Sequence, residues 1–483
     1  MLSPLLDTSD PRPVHFIGIA GAGMSALAEL LKRRGVMVAG TDANPGGAPD
    51  LEALGISVSA HDAALVTQAR AVVYSSAIPA AHPEMVAARA LGLPLIRRAE
   101  ALAAAVSGGA LVGIAGTHGK TTTTVMTTEA LAAAGVDPTG VVGGRVGTWG
   151  GNLRLGTLHA ADAASVAGAS QPTTQVPTYV VEADEYDRSF LALTPTVAVV
   201  LNVEADHLDI YADLADIERA FEQFLAPARA VVRCADDLGA MALRIPSGPD
   251  VIAYSATVPG HAPSSGAADA RLVARDLELT AAGARFTVVF DGDALGEIRL
   301  AVPGVHNVRN ALAALGAGLA LGCTVPAMAP GLASFTGVER RFQRLGAASG
   351  IEVVDDYAHH PTEVAATLAA ARHAFPGRRI VLAFQPHLYS RTRDLQVDFA
   401  DALSAADVLL LCDIYGARET PEPGVTSALI GDRVRQGVLQ WTGPRTGAAD
   451  ALRNIARDGD VVLTMGAGDI TRTGPELLGL LRG

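Results

Sequence analysis

The stretch Leu111-Val112-Gly113-Ile114-Ala115-Gly116-Thr117-His118-Gly119-Lys120-Thr121-Thr122 decides how this chain folds and what it can bind. Leu111 to Ala115 is an apolar run of strand length. Thr121 to Ala134 then reads as a helix closed by Gly135. Strand, glycine turn and helix in that order predict an α/β layer. Glycines let backbone N–H groups approach phosphate oxygens, and the helix N-terminus favours the negative charge. Residues Gly116, Thr117, His118, Gly119 and Thr122 would line a nucleotide's phosphates. Lys120 would reach the terminal ones, and Thr121 would offer its hydroxyl to Mg2+. The spacing is G-x-x-G-K-T, shorter than the usual G-x-x-x-x-G-K-T.

Downstream, the strand Tyr179 to Val181 runs into Glu182-Ala183-Asp184-Glu185. A carboxylate at such a strand end, beside a phosphate loop, is where Mg2+ needs an oxygen ligand, and Glu182 fits. Val197 to Leu201 runs into Asn202-Val203-Glu204-Ala205-Asp206-His207-Leu208-Asp209, where His207 lies among three acids and suits metal or phosphate duty. The C-terminal third repeats the arrangement. Asp355 to Pro361 and Gln385 to Asp394 each follow a strand and precede a helix, near the cluster Arg340, Arg341 and Arg344. Guanidinium forks bind carboxylates and phosphates bidentately.

Upstream, the strand Val14 to Ile17 leads into Gly21-Ala22-Gly23-Met24-Ser25-Ala26. A helix is predicted over Ser25 to Arg34, capped by Gly35, then a strand over Val36 to Ala39 and an acid, Asp42. This is the G-x-G-x-x-A fingerprint with its ribose-binding acid about 20 residues on. It specifies a diphosphate attached to a ribose. NAD satisfies it, so an NAD-dependent oxidoreductase is a rival reading. UDP satisfies it as well, and the second phosphate loop makes a nucleotide-sugar the more economical choice.

The 483 residues give room for about three domains at ~100–200 residues each. Apolar residues make up 49%, enough to bury real cores, and aromatics only 4%, so the cores rest on Ala, Val, Leu and Ile. The formal charge, 37 − 50 = −13, argues against a nucleic-acid or anionic-membrane surface. Cys234, Cys323 and Cys412 lie far apart, with neither metal spacing nor a disulfide framework, as fits a reducing cytoplasm. The polar start of the chain, with Pro4 and Pro11, has no apolar core of a secretory signal. Asn310 to Val338 is uncharged, but its Ala and Gly content, Pro326 and Pro330 predict a buried helix followed by a loop rather than a membrane span. Thr157 to Thr178, rich in Ala, Ser, Thr, Gln and Pro, is expected to be a mobile surface insertion. A third α/β unit begins near Phe335, with strands at Ile351 to Val354, Ile380 to Phe384, Val408 to Leu411 and Val461 to Thr464.

Taken together, these stretches resemble the Mur ligase family, and within it the alanine-adding branch. The matching stretches are HFIGIAGAGMSALAELL (15–31), GTHGKTTTT (116–124), EADEYDRSFL (182–191), LNVEADHLDIY (201–211), PGVHNVRNALAA (303–314), GVERRFQ (337–343), VVDDYAHHPTEV (353–364), FQPHLYSRTRD (384–394) and TMGAGDI (464–470), in family order. The resemblance implies a three-domain α/β fold: an N-terminal Rossmann-like UDP-binding domain (1–107), a central P-loop ATPase domain (108–333) and a C-terminal Rossmann-like domain for the amino acid (334–483). It implies a cytoplasmic monomer or homodimer that uses ATP and Mg2+ to join L-alanine to UDP-N-acetylmuramate. A sister branch that attaches a recycled murein peptide is the nearer alternative.

Site roles carry over from the same resemblance. Lys120 and Thr121 would hold phosphates and Mg2+, with Glu182 and His207 as further Mg2+ ligands. Asn307 and Arg341 resemble ATP-contacting positions, and Asp356 the ribose-binding acid. Gly21, Ala22, Gly23, Met24 and Asp42, with Ser75 and Ser76, would line the UDP site, and Asn152 would contact the muramoyl group. Tyr357, His359 and Arg391 would face the substrates, with Arg391 as the carboxylate fork for alanine. Many relatives carry Arg where this chain has Leu388. The modified lysine of later-acting branches has no counterpart in the helix Ile217 to Leu225, where Glu222 stands at about that place.

Overall fold

The computed structural model describes residues 3–157, 176–208, 210–256, 266–280 and 282–483. Most of the insertion expected over 157–178, and Asp209, lie outside them. Two compact units form: Met1–Leu277 with Phe286–Ile298 and Arg309–Phe335, and Glu278–Arg285 with Arg299–Val308 and Thr336–Gly483. Three sheets carry the α/β fold.

The first sheet has the order β3-β2-β1-β4-β5. Its strands are β1 (Val14–Ile17), β2 (Val38–Thr41), β3 (Ser57–Ser59), β4 (Ala71–Tyr74) and β5 (Leu95–Arg97), all parallel. Helix α1 spans Ala22–Arg33 and α2 Pro83–Ala90. Two sequence expectations shift here. The first helix starts three residues earlier than Ser25, directly at the glycine turn. The second strand begins at Val38 rather than Val36. Val36 is taken by the helix end: its N–H donates to Leu31 O (3.0 Å), and Gly35 N–H to Lys32 O (3.0 Å). That is a Schellman closure, with Gly35 left-handed at φ 85°. Pairing with β1 therefore starts two residues later, at Val14↔Val38.

The second sheet has ten strands in the order β15-β14-β13-β12-β11-β10-β6-β9-β7-β8. They are β6 (Ala110–Ala115), β7 (Thr139–Val146), β8 (Gly151–Arg154), β9 (Thr178–Glu182), β10 (Val197–Val200), β11 (Ala230–Cys234), β12 (Asp250–Ala256), β13 (Leu272–Thr280), β14 (Gly283–Phe290) and β15 (Asp293–Leu300). Helices α3 (Lys120–Ala133), α4 (Leu214–Leu225), α5 (Val305–Ala320) and α6 (Val325–Ala333) accompany them. Strand β6 sits between β9 and β10, parallel to both. β10 is buried along its length, as a strand covered on both faces must be.

The uncharged segment from Asn310 to Val338 holds two helices rather than a helix and a loop, which corrects the sequence reading. Pro326 falls in the first turn of α6, where a missing N–H costs nothing. Pro330 lies inside α6, and the buried face of Val325, Met328 and Leu332 holds the helix together around it. Among the described residues no helix is long and apolar enough to cross a membrane.

The third sheet has the order β16-β17-β21-β18-β19-β20. Its strands are β16 (Gln343–Ala348), β17 (Ile351–Asp356), β18 (Ile380–Phe384), β19 (Val408–Cys412), β20 (Leu439–Gly443) and β21 (Val461–Met465). Only β16 runs antiparallel, against β17. Helix α7 spans Pro361–Ala374 and α8 Tyr389–Asp394. β18, β19 and β21 are buried throughout.

Candidate active site

Because β9, β6 and β10 are adjacent and parallel, the loops after them leave the same sheet edge. The topology thus brings together three segments far apart in sequence: Gly116–Thr121, Glu182–Glu185 and Asn202–His207. Asn202 fixes the first loop by clipping the backbone of His118 on both sides. Its Oδ1 accepts from His118 N–H (2.7 Å), and its Nδ2 donates to His118 O (3.1 Å). Thr117 Oγ1 accepts from Glu204 N–H (3.0 Å) and ties the loop to β10's end. Gly119 is left-handed (φ 81°), and a Cβ there would lie 2.9 Å from Asn310 Oδ1. Any side chain would be strained and crowded.

Lys120 opens α3. Its Nζ donates to Gly116 O (2.7 Å) and lies 2.7 Å from Glu185 Oε2. Burial alone would lower the lysine's pKa, but the carboxylates of Glu185, Asp184 and Glu182 hold it above its usual value. Burial pushes Glu185 up to about 7, with Lys120 pulling it back and Asp184 pushing further. Thr121 Oγ1 donates to Glu182 Oε1 (2.8 Å), and the other Glu182 oxygen accepts from Gly143 N–H (2.6 Å). The expected metal pair, Thr121 and Glu182, is therefore in contact. His207 stands at the same edge with its Nε2 3.7 Å from Glu185 Oε1 and 3.8 Å from Asp206 Oδ2. It keeps φ 54°, a conformation that strained functional positions share.

The glycine turn after β1 forms a second cradle. Asp42 Oδ2 accepts from Ala20 N–H and Oδ1 from Asn44 N–H, both at 2.9 Å, so the acid pins the turn. Asn152, on β8 of the second sheet, reaches this turn and donates to Ala22 O and to Ser25 Oγ (3.2 Å). Two positions far apart in sequence thus meet at this turn. Ser75 and Ser76 follow β4, next to β1. Ser76 lines a cavity with Arg97, Arg98, Asp187, Arg188 and Ser189. A Cβ on Gly23 would lie 3.0 Å from Arg98 Nη1. The second fingerprint glycine therefore makes room for a guanidinium. Sequence reasoning missed Arg97 and Arg98, because two arginines at a helix start read as solvated charge. It also missed Asn202 as the clip and Glu185 as the partner of Lys120.

The C-terminal unit assembles a third cluster. Asp356 ends β17 and accepts from Phe342 N–H and Ala358 N–H, both at 2.7 Å. Burial raises it to about 6, against the pull of Arg341 and those two amides. Two guanidinium groups lie over the Tyr357 ring, Arg340 and Arg341, 4.7 and 5.1 Å from its centre. Arg341 Nη1 donates to Glu363 Oε1 (3.0 Å), and the other Glu363 oxygen accepts from His359 N–H (2.9 Å). His359, His387 and Tyr415 form a chain of rings with centres 5.9 Å apart at each step. Arg391 is buried, with Nη1 3.4 Å from His387 Nδ1. Leu388 is buried at φ 72° and caps the start of α8. Asn307 belongs to this unit, with Nδ2 donating to Pro303 O (2.7 Å). Glu222, at about the place of the absent lysine, pairs with Arg244 at 3.0 Å.

Three family descriptions match the chain in succession: "Mur ligase family, catalytic domain" over residues 13–109, "Mur ligase middle domain" over 114–318 and "Mur ligase, glutamate ligase domain" over 340–468. A UDP-N-acetylmuramate–L-alanine ligase of Kineococcus radiotolerans is 46% identical over 97% of this chain and 96% of its own. One from Salinibacter ruber is 41% identical over 97% and 95%. The crystal structure of a UDP-N-acetylmuramate–alanine ligase from Thermotoga maritima superposes with a TM-score of 0.77 at 26% identity, covering 97% of this chain and 99% of that one.

Proposed function

The chain belongs to the Mur ligase family, and on that premise we propose that it joins L-alanine to the lactyl carboxylate of UDP-N-acetylmuramate at the expense of ATP. The observation that carries the chemistry is the corner where Lys120, Thr121 and Glu182 converge at one sheet edge. The names of relatives more than 40% identical over nearly their whole length carry the choice of alanine over a recycled peptide. They also leave the oxidoreductase reading without support. The reaction belongs in the cytoplasm and to peptidoglycan precursor synthesis.

A carboxylate does not condense with an amine unaided in water. One lactyl carboxylate oxygen attacks the γ-phosphorus of ATP, the bond to the β,γ-bridging oxygen breaks, and ADP leaves. The acyl phosphate so formed has a good leaving group. Alanine's neutral amine attacks the acyl carbon, inorganic phosphate departs with the carboxylate oxygen, and the amine's proton is lost. Lys120, drawn from Glu185 to the γ-phosphate, neutralises charge spread over the transferring oxygens. Gly119 and the start of α3 present backbone N–H groups to the phosphates. A hydroxyl and a carboxylate 2.8 Å apart are the hard oxygen donors that Mg2+ requires, so Thr121 and Glu182 fit it, with His207 as a further candidate. Bound there, Mg2+ would supply charge neutralisation on the phosphate oxygens.

Asp42, Ser75, Ser76 and the turn from Gly21 to Met24 would hold the UDP group, and Asn152 the muramoyl end. Asn307, Arg341 and Asp356 would contact ATP. His359 and Tyr357 would orient alanine, with Arg391 as its carboxylate fork. The test is phosphate release from ATP and Mg2+. It should require both UDP-N-acetylmuramate and L-alanine and vanish in Lys120→Ala. Release with the recycled tripeptide in place of alanine would move the chain to the sister branch.

A further inference from the structure

A second group of side chains of metal-ligating type, His61, His82 and Glu84, lies beside the first sheet, in the loop after β3 and at the start of α2. Glu84, in the first turn of α2, is fully buried. One oxygen accepts from His15 Nε2 (2.8 Å), and the Thr41 hydroxyl reaches both oxygens at 2.7 and 2.9 Å. The other oxygen accepts from Asp62 N–H (3.2 Å) and faces His61 Nδ1 (2.9 Å). Five polar contacts thus fix the orientation of this buried carboxylate. His82 precedes it by two residues. Its ring meets that of His61 edge-on, with centres 4.7 Å apart. Its Nδ1 is buried without a hydrogen-bond partner among the described residues. One ligand atom each from His61, His82 and Glu84 lies within 4.8 Å of the other two.

We propose that His61, His82 and Glu84 bind a divalent cation of the zinc class. The donors select the ion. Two imidazoles and one carboxylate suit Zn2+, Co2+ or Ni2+, whereas Mg2+ and Ca2+ take oxygen ligands and Cu+ takes thiolates. Two ligands of a tetrahedral zinc with bonds of about 2.0–2.1 Å stand roughly 3.3 Å apart, close to the His61–Glu84 separation. His82 closes the remaining distance by a small ring movement, and its nitrogen gains the partner it lacks. His15 and Thr41 act as the outer shell that fixes the ligating carboxylate. The cation takes the place of the proton between His61 and Glu84, and that proton goes to solvent. The N-terminal end of α2 opposes a cation, and the Glu84 carboxylate, as a ligand, supplies the compensating charge. The His61 side chain keeps 30% of its surface exposed, which gives an entry path and leaves a fourth position to water.

The test uses the full-length protein with excess Mg2+, so that hard-oxygen sites are filled. Zn2+ is titrated in competition with a chromogenic chelator into the wild type, His61→Ala and His82→Ala. The wild type should take up one equivalent more than either variant. With Co2+, it should show a visible absorption band that both variants lack. Thermal melts in chelator check that the variants are folded, and the exposed His61 decides the matter if His82→Ala is not. Equal stoichiometry and affinity in the wild type and the folded variants, or the same Co2+ spectrum in all of them, would overturn the assignment.

Discussion

The turn after β1 and the turn after β6 are the same device used for two different jobs. Each joins a buried parallel strand to a helix through glycines, and each offers backbone N–H groups to an anion. They differ in what stands around the anion. At the β6 turn the helix opens with Lys120, and Glu182, Asp184 and Glu185 gather at the neighbouring strand end. At the β1 turn the helix opens with Ala22, and the acid Asp42 accepts from backbone amides of Ala20 and Asn44. A guanidinium, Arg98, fills the space over Gly23. The β6 turn, in the proposed reading, follows charge as it moves between oxygens and holds a cation. The β1 turn, in the proposed reading, holds a diphosphate whose charge does not change. A strand-turn-helix frame therefore fixes where an anion sits, and the side chains at adjacent strand ends fix whether chemistry happens to it.

The sharpest way to break this contrast is to remove the mobile charge. Lys120→Met should lower kcat for phosphate release by ~10²–10³-fold and leave KM for UDP-N-acetylmuramate within a few fold, as steady-state kinetics will show. A drop confined to KM would erase the difference between the turns. Gly119→Ala should cost roughly 1–3 kcal/mol of strain at its positive φ, read as weaker ATP binding by calorimetry. Gly23→Ala meets only the flexible end of Arg98 and should do less to folding than Gly119→Ala does, which paired thermal melts can compare. Asp42→Asn should raise KM for the nucleotide-sugar about tenfold and leave kcat alone, because it acts on ground and transition states equally.

The smallest expected effect is a pH slope. Glu185 titrates near 7 in the fold against an ordinary 4.5. Its folded pKa is raised, so the stability it contributes is complete below about 4.5 and is lost as pH rises through about 7. Glu185→Gln should flatten the pH dependence of unfolding in that window, measured by denaturant melts without nucleotide. An unchanged slope would mean that Lys120 keeps Glu185 ionised throughout.

What could be read from the sequence follows the same division. Gly116 to Thr122 and Gly21 to Met24 are contiguous, so their residue types and order are enough to place them. The strand ends at Glu182 and His207 were legible because they follow clear apolar runs. Three things were not. The strand starts that follow helix caps, as at Val36, depend on hydrogen bonds a periodicity does not reveal. The strands β3, β5, β7, β8, β11 to β16 and β20 went unrecognised; β13 and β15, with exposed residues along them, lack the continuous apolar run that marks a buried parallel strand. Partners such as Lys120 and Glu185, Asn152 and Ala22, or Gly23 and Arg98 are set by which strands lie side by side, and that order is not written locally.

The central claim is that the lactyl carboxylate is activated as an acyl phosphate at the Lys120 corner. It is tested most directly by following oxygen. UDP-N-acetylmuramate labelled with 18O in its lactyl carboxylate is turned over with unlabelled ATP and L-alanine, and the released phosphate is examined by mass spectrometry. One carboxylate oxygen should appear in inorganic phosphate for each amide bond formed. Label appearing in AMP, or phosphate carrying no label while the amide forms, would contradict the account.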